Sequence, residues 1–345
     1  MIDVALLSKI CKVPGAPGFE DKVRALVLRQ IDGLVDSVRV DAMGNVIAKK
    51  NGSGDKKVMC AAHMDEISFI VTHIDEEGFV RFHTLGGFDP KTLTAQRVII
   101  HGTKDLVGVM GTKPIHLMKP EERSKAPSTT DFFIDLGMPK AEVIKHIEIG
   151  DPITRERELI QMGECVNSKS LDNRVSVFIL IEALKALQGR EIPYDFYAVF
   201  TVQEEVGLRG ATTAASQVDP DFAIGLDVTI AFDVPGAQPH EAVSRLGKGA
   251  AIKIMDGSVI CDPRMVRHMK AVAKTHNIPW QAEVLPAGGT DTAGLQRAGR
   301  RGSIAGAISI PCRHIHQVIE MCSISDIEAC TTLLVETVAE MDKLK

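Results

Sequence analysis

Five segments of this 345-residue chain set a histidine or a carboxylic acid where an apolar run ends or a helix begins. VMCAA runs into His63-Met64-Asp65, FYAVFTV into Gln203-Glu204-Glu205, FAIGL into Asp227, and AGAISIP into Arg313-His314-Ile315-His316; Asp172 stands just before a long apolar helical stretch. Each is unremarkable alone. A lone histidine after a strand is usually hydrogen-bonded, Asp172 could be an ordinary helix N-cap, adjacent glutamates are normally solvated, and an aspartate at a strand end often starts a turn. Acids and histidines at the ends of four strands are a different matter, because in an open α/β sheet the carboxyl ends of the strands converge on one crevice. Imidazole and carboxylate without clustered thiolates suit zinc, cobalt or manganese. Two such ions about 3.5–4 Å apart can share a carboxylate, activate a water and polarise a carbonyl. Neighbouring glutamates allow one to ligate while the other takes the proton from that water. The H-x-H of His314 and His316 leaves open which imidazole takes part.

The elements that must position these residues can be read from periodicity. The first forty residues read as amphipathic helices around the turn PGAPGFE, with Val23, Leu26, Val27 and Ile31 at helical spacing. VRVDAMGNVIAKK gives two short strands, and KKVMCAAH a third that ends at His63. From there to about Gly163 the segments are short, β-branched and punctuated by glycine, which predicts an inserted all-β, barrel-like domain over 67–163. Within it, KPEERSKAPSTTD reads as a surface loop. After Asp172 helix and strand alternate to the end, which predicts an α/β domain, 1–66 with 164–345, whose mostly parallel sheet carries helices on both faces.

Composition narrows the function classes. Lys+Arg number 40 against 45 Asp+Glu, a net charge of −5, which does not suggest a nucleic-acid binder. Aromatic residues are only 4%, with Trp280 the sole tryptophan, so there is little from which to build stacking platforms for sugars or single strands. The seven cysteines are odd in number, scattered and free of C-x-x-C pairs, as expected of reduced thiols in a cytoplasmic protein. No signal peptide is expected. The most apolar stretch, 175–187, is interrupted by Ser176, Glu182 and Lys185 and is too short to span a bilayer, so no membrane association is expected.

AAHMDE, SLDNR, QEEVGLRGA, GLDVT, AGGTD and IPCRHIH, in this order along essentially the whole chain, resemble the M42 family of metallo-aminopeptidases, which includes glutamyl aminopeptidases and the tetrahedral TET peptidases. The resemblance implies a zinc-peptidase-like fold and two divalent ions per subunit (zinc, cobalt or manganese). It implies that His63, Asp172 and Asp227 hold one ion, with Asp172 bridging to a second that Glu205 and His316 complete. Glu204 is then the general base, and Asp65 orients a ligand or tunes the ions from behind. Gly288, Gly289, Thr290 and Asp291 line the substrate site, with His314 beside it. The chain departs from the family at His314, where relatives usually carry tyrosine in R-Y-x-H. The implied activity is removal of N-terminal residues from short peptides by a homo-oligomer, commonly a hollow dodecamer built from dimers through the β domain. The competing readings are another metal-dependent hydrolase on the same site, a deacylase or the endoglucanase some relatives are labelled, and a scaffold without activity. Scarce aromatics and histidine ligands favour peptide hydrolysis over glycoside cleavage.

Overall fold

The computed structural model describes residues 2–345. At its centre the strands Asp195–Thr201, Lys57–His63, Phe222–Ile230 and Ile304–Arg313 lie side by side and parallel, as the alternation of strand and helix predicts. A parallel strand covered on both faces must be apolar almost throughout, and Phe222–Ile230 is buried at every position but its last. Small residues bring the covering helices close. At Gly225 a Cβ would lie 2.0 Å from Thr292 Oγ1, so only glycine lets the helix Thr292–Arg297 rest on this strand.

Antiparallel strands flank this core. Ser37–Val40 and Val46–Lys50 extend one side; Glu320–Ser323, Cys165–Ser168 and Ile160–Met162 extend the other; Ala250–Met255 and Trp280–Val284 branch from Ile304–Arg313. Among the described residues the sheet thus has eleven strands and is mixed. Ala250–Met255, Ile160–Met162, Cys165–Ser168 and Glu320–Ser323 are not evident in the sequence, being three to six residues long and outside any strand–helix repeat.

Helices cover both faces. Leu171–Ala186 is buried nearly all round, as a helix apolar on every side must be. It packs between the sheet and the helices Val4–Lys12 and Ile324–Ala339. On the opposite face Ala211, Ala214, Ala215 and Leu295 build a smaller core beneath Arg209–Val218 and Thr292–Arg297. Among the described residues no helix is long and apolar enough to cross a membrane.

Between Ser68 and Arg155 six strands close into a barrel: Ser68–Ile74, Val80–Leu85, Phe133–Asp135, Asp105–Gly111, Arg97–His101 and Pro152–Arg155. Strict alternation of buried and exposed residues in Asp105–Gly111 marks a strand with one face inward. Phe69, Val71, Val98, Ile100 and Ile134 form the barrel's own core. The KPEERSKAPSTTD run is mostly exposed and carries two short helical turns, Pro120–Arg123 and Thr129–Asp131.

One buried cation ties the helices to the loop after His63. Arg174 donates to the carbonyls of Met64, Ile10 and Val13, each at 2.7 Å, and lies 3.3 Å from Glu66. Glu66 also accepts from Lys169 and Ser170. Replacing Arg174 with methionine should therefore cost about 3–5 kcal/mol of unfolding free energy, since buried partners lose their counter-charge or donor. Denaturant unfolding checks this, and a loss below ~1 kcal/mol contradicts it.

Candidate metal centre

The carboxyl ends of the parallel strands meet the start of the Leu171–Ala186 helix at one point. His63 ends its strand, Asp227 lies within Phe222–Ile230, and Glu204 and Glu205 follow Asp195–Thr201 by a short turn. Asp172 enters as the second residue of its helix, with a cis peptide to Asn173. His316 follows the strand Ile304–Arg313. Several flanking residues hold left-handed backbone without being glycine: Ser170, Gln203, Leu208, His314 and His316, with φ between 55° and 65°. Each such residue costs of order 1 kcal/mol or more and persists only where its surroundings fix it.

The side chains converge closely. His63 Nε2 lies 3.3 Å from Asp172 Oδ1, 3.7 Å from Glu204 Oε2 and 3.8 Å from Asp227 Oδ1. His316 Nε2 lies 3.3 Å from Asp172 Oδ2 and 3.5 Å from Glu205 Oε2. One ligand atom each from His63, Asp172 and Asp227 fits within 4.8 Å, as does one each from Asp172, Glu205 and His316. A third grouping of the same span joins His63 with Glu204 and Glu205.

Packing acids this tightly out of water perturbs them. Burial, reinforced by Asp172, pushes Glu205 up to about 8. Burial also raises Glu204 well above the carboxylate range, with Asp227 and Glu205 adding to the effect, and raises Asp227. For Asp172 burial opposes ionisation, but the imidazoles of His316 and His63 outweigh it and hold the carboxyl below its ordinary value. At His316 burial opposes the charge, yet Asp172 and Glu205 prevail and lift the imidazole to about 9. Four buried carboxyls and two imidazoles are short of positive charge, and Glu205 Oε1 has no hydrogen-bond partner. An all-oxygen-and-nitrogen donor set with an orphaned oxygen fits divalent cations such as zinc, cobalt or manganese.

A layer behind these residues holds them. The Asp65 carboxylate accepts the backbone N–H groups of Glu204 at 3.0 Å and Glu205 at 3.1 Å, and its carbonyl lies 3.1 Å from His63 Nδ1. Glu20 accepts from Gln203 N–H, and Asn173 donates to the Leu226 carbonyl beside Asp227. Glu320 accepts from the backbone N–H groups of Asp172 and His316. Sequence reasoning places Asp65 but misses Glu20 and Glu320. The one signal for Glu320 is a single acid in the otherwise apolar VIEMC, four residues after His316.

The centre opens into a cleft of about 640 Å³. Gly288, Gly289, Thr290 and His314 line it. His314 is exposed and belongs to none of the three groupings, whereas His316 does. Asp291 is turned inward, away from the cleft: it accepts from Thr201 Oγ1, its other oxygen has no partner, and burial raises its carboxyl to about 7. Local sequence does not separate Asp291 from its neighbours. The difference arises because the helix Thr292–Arg297 starts against the sheet. Lys253 and Asp256, unforeseen in the sequence, also line the cleft; Lys253 sits 2.9 Å from Asp256 and 3.2 Å from Glu283.

The same fold occurs in known proteins. The lysyl aminopeptidase of Pyrococcus furiosus is 34% identical over 354 residues, covering 99% of this chain and 99% of that protein. Aminopeptidase APDkam598 from the archaeon Desulfurococcus kamchatkensis matches with a TM-score of 0.94 and 37% identity, over 99% of this chain and 97% of that one. The Pyrococcus horikoshii TET1 peptidase, which can assemble into a tetrahedron or a large octahedral shell, matches with a TM-score of 0.88 and 31% identity, over 98% and 99% of the two chains. The sequence profile of M42 glutamyl aminopeptidase spans residues 44–333, taking in the barrel and every residue of the centre. Profile, relatives and fold agree: the chain belongs to the M42 glutamyl aminopeptidase family and is a peptide-bond hydrolase.

Proposed function

We propose that the protein is a dinuclear-metal aminopeptidase that removes N-terminal residues from short peptides. His63, Asp172 and Asp227 hold one ion, Asp172, Glu205 and His316 the other, and Glu204 is the general base. The observation that carries this reading is the Asp172 carboxylate, whose Oδ1 faces His63 and whose Oδ2 faces His316, each at 3.3 Å. When bound, the two ions supply Lewis acidity toward the scissile carbonyl and lower the pKa of a water. Glu204 lies outside the two triads that share Asp172 and borders the cleft. It takes a proton from the attacking water as oxygen bonds to the carbonyl carbon, then passes it to the amine as the C–N bond breaks. Asp65 keeps Glu204 and Glu205 in register by holding both their backbone N–H groups.

The cleft walls bear on the substrate. Val228, Ile230, Phe232, Leu285 and Ile315 line them, and the lysine and arginine among them already have carboxylate partners. Lys253 sits between Asp256 and Glu283, and Arg313 pairs with Asp233 through two bonds of 2.7 Å. A lysine or glutamate side chain would lose water there without gaining a partner, so the first residue accepted is uncharged and apolar. The test strips the protein with chelator, restores zinc, cobalt and manganese separately, and assays leucyl, methionyl, lysyl and glutamyl anilides. Metal-free protein should release nothing. After reconstitution leucyl and methionyl substrates should exceed the charged ones by at least about 10-fold, the factor set by ~1.4 kcal/mol of unpaired polar burial. Activity without metal overturns the mechanism; preference for a charged residue overturns the pocket assignment.

The segment 67–163 is the assembly domain in this reading, apart from its last strand, Ile160–Met162, which pairs into the main sheet. Its barrel exposes Val107, Val109, Ile115 and Leu117, which association into a homo-oligomer, as large as a dodecamer of the TET kind, would cover. The seven free thiols, six of them buried, support a cytoplasmic location.

A further inference from the structure

Glu320 opens a short strand four residues beyond His316 and is completely buried. Its Oε2 accepts the backbone N–H of Asp172 at 3.0 Å, and its Oε1 accepts that of His316 at 3.0 Å. A single rigid carboxylate therefore spans two residues that come from different ends of the catalytic domain and share one candidate metal triad. His316 is held from its other side as well. Its carbonyl accepts from Arg155 Nη1 at 3.2 Å, and Arg155 is the buried last residue of the barrel's final strand. Both polar groups of the His316 main chain are thus fixed, which accounts for the persistence of its left-handed φ of 65°. Burying a carboxylate is costly unless its oxygens are well bonded, and here both oxygens serve residues that face the metal centre.

We propose that Glu320 is a positioning residue of the metal centre: by gripping the N–H groups of Asp172 and His316 it sets their separation, and through it the affinity of the Asp172–Glu205–His316 triad for its ion. The proposal rests on the dinuclear reading above. Glu320 touches neither ion nor substrate. Glu320→Gln keeps the shape but offers one acceptor oxygen and one NH2 group, so one of the two N–H groups faces a donor. Chelator-stripped wild type, Glu320→Gln and Glu320→Asp are titrated with cobalt by calorimetry, and bound metal is counted by elemental analysis after gel filtration. In the wild type we expect two ions. In Glu320→Gln the ion of the Asp172–Glu205–His316 triad, which has two of its ligands held by Glu320, should bind about 10–100-fold more weakly, the range for loss of an outer partner of a ligand, while the ion that shares only Asp172 is weakened less. Glu320→Asp, which restores both acceptors on a shorter arm, should recover part of the loss. A purely structural role would lower thermal stability and leave the two affinities unchanged relative to each other; that result overturns the proposal. Wild type that takes up fewer than two ions instead sinks the dinuclear reading, a distinguishable failure. Should Glu320→Gln not fold, amide hydrogen exchange on metal-free wild type decides. Protected Asp172 and His316 amides, with His316 exchanging faster in Glu320→Asp, support the proposal, and unprotected amides overturn it.

Discussion

Glu204→Gln is expected to lower turnover by about 10²–10⁴-fold, the usual contribution of a positioned general base, while both ions stay bound. The substitution is nearly isosteric and leaves untouched the two triads linked by Asp172. The Glu204 backbone N–H still reaches Asp65 Oδ1, so the loop should keep its course. What is lost is the group that accepts the proton from water. Glu205→Gln is the matched comparison. Glu205 Oε2 lies 3.5 Å from His316 Nε2 and its Oε1 is unpartnered, the arrangement expected of a ligand. That variant should lose one ion and recover part of its activity as metal is added. Elemental analysis and turnover across a metal titration separate the two. Metal loss in Glu204→Gln with retention in Glu205→Gln would reverse the assignments, and a change of only a few fold in both would remove the base from the mechanism.

Asp172→Asn should do more damage than either glutamate change. Its two oxygens face two different histidines at equal distance, so no other side chain in the centre serves both triads. The asparagine presents an NH2 group to one imidazole and removes the negative charge that opposes two cations. Both ions should be weakened together. The consequence reaches stability as well as rate, because a ligand bound only to the folded state stabilises it by about 2.7 kcal/mol per site at a hundredfold excess over Kd. Wild type should therefore melt at a higher temperature with saturating cobalt than without, and Asp172→Asn should lose most of that difference along with its activity. Equal metal-induced shifts in the two proteins would contradict a bridging Asp172.

Much of this was legible in the residues themselves. An apolar run leading into His63 or into Glu204-Glu205 signals a buried strand that ends in chemistry, because period and composition are local properties; Asp227 differs from that expectation, since pairing with Ile304–Arg313 carries its strand on to Ile230. The same logic gives the parallel core and the all-β character of the insertion. A barrel-like insertion was legible, but which strands close it was not: Pro152–Arg155 pairs with both Ser68–Ile74 and Arg97–His101, and no local pattern encodes partners so far apart in the chain. Nor could spacing choose between His314 and His316, since both hold left-handed backbone and only the packed loop brings one imidazole to Asp172 and Glu205. Asp291 looks like its neighbours in Gly288-Gly289-Thr290-Asp291, yet it is buried against Thr201 because its helix starts against the sheet. Glu320 and Lys253 are single charges in apolar strands, a pattern that in isolation predicts only a cost. Their partners, Asp172 and His316 for one and Asp256 and Glu283 for the other, reach them through the fold. Sequence thus determines which groups stand at strand ends, because burial and turn chemistry act over a few residues. Which of those groups meet, and what holds them, is decided by tertiary structure, because a buried charge is tolerable only when distant segments bring it a partner.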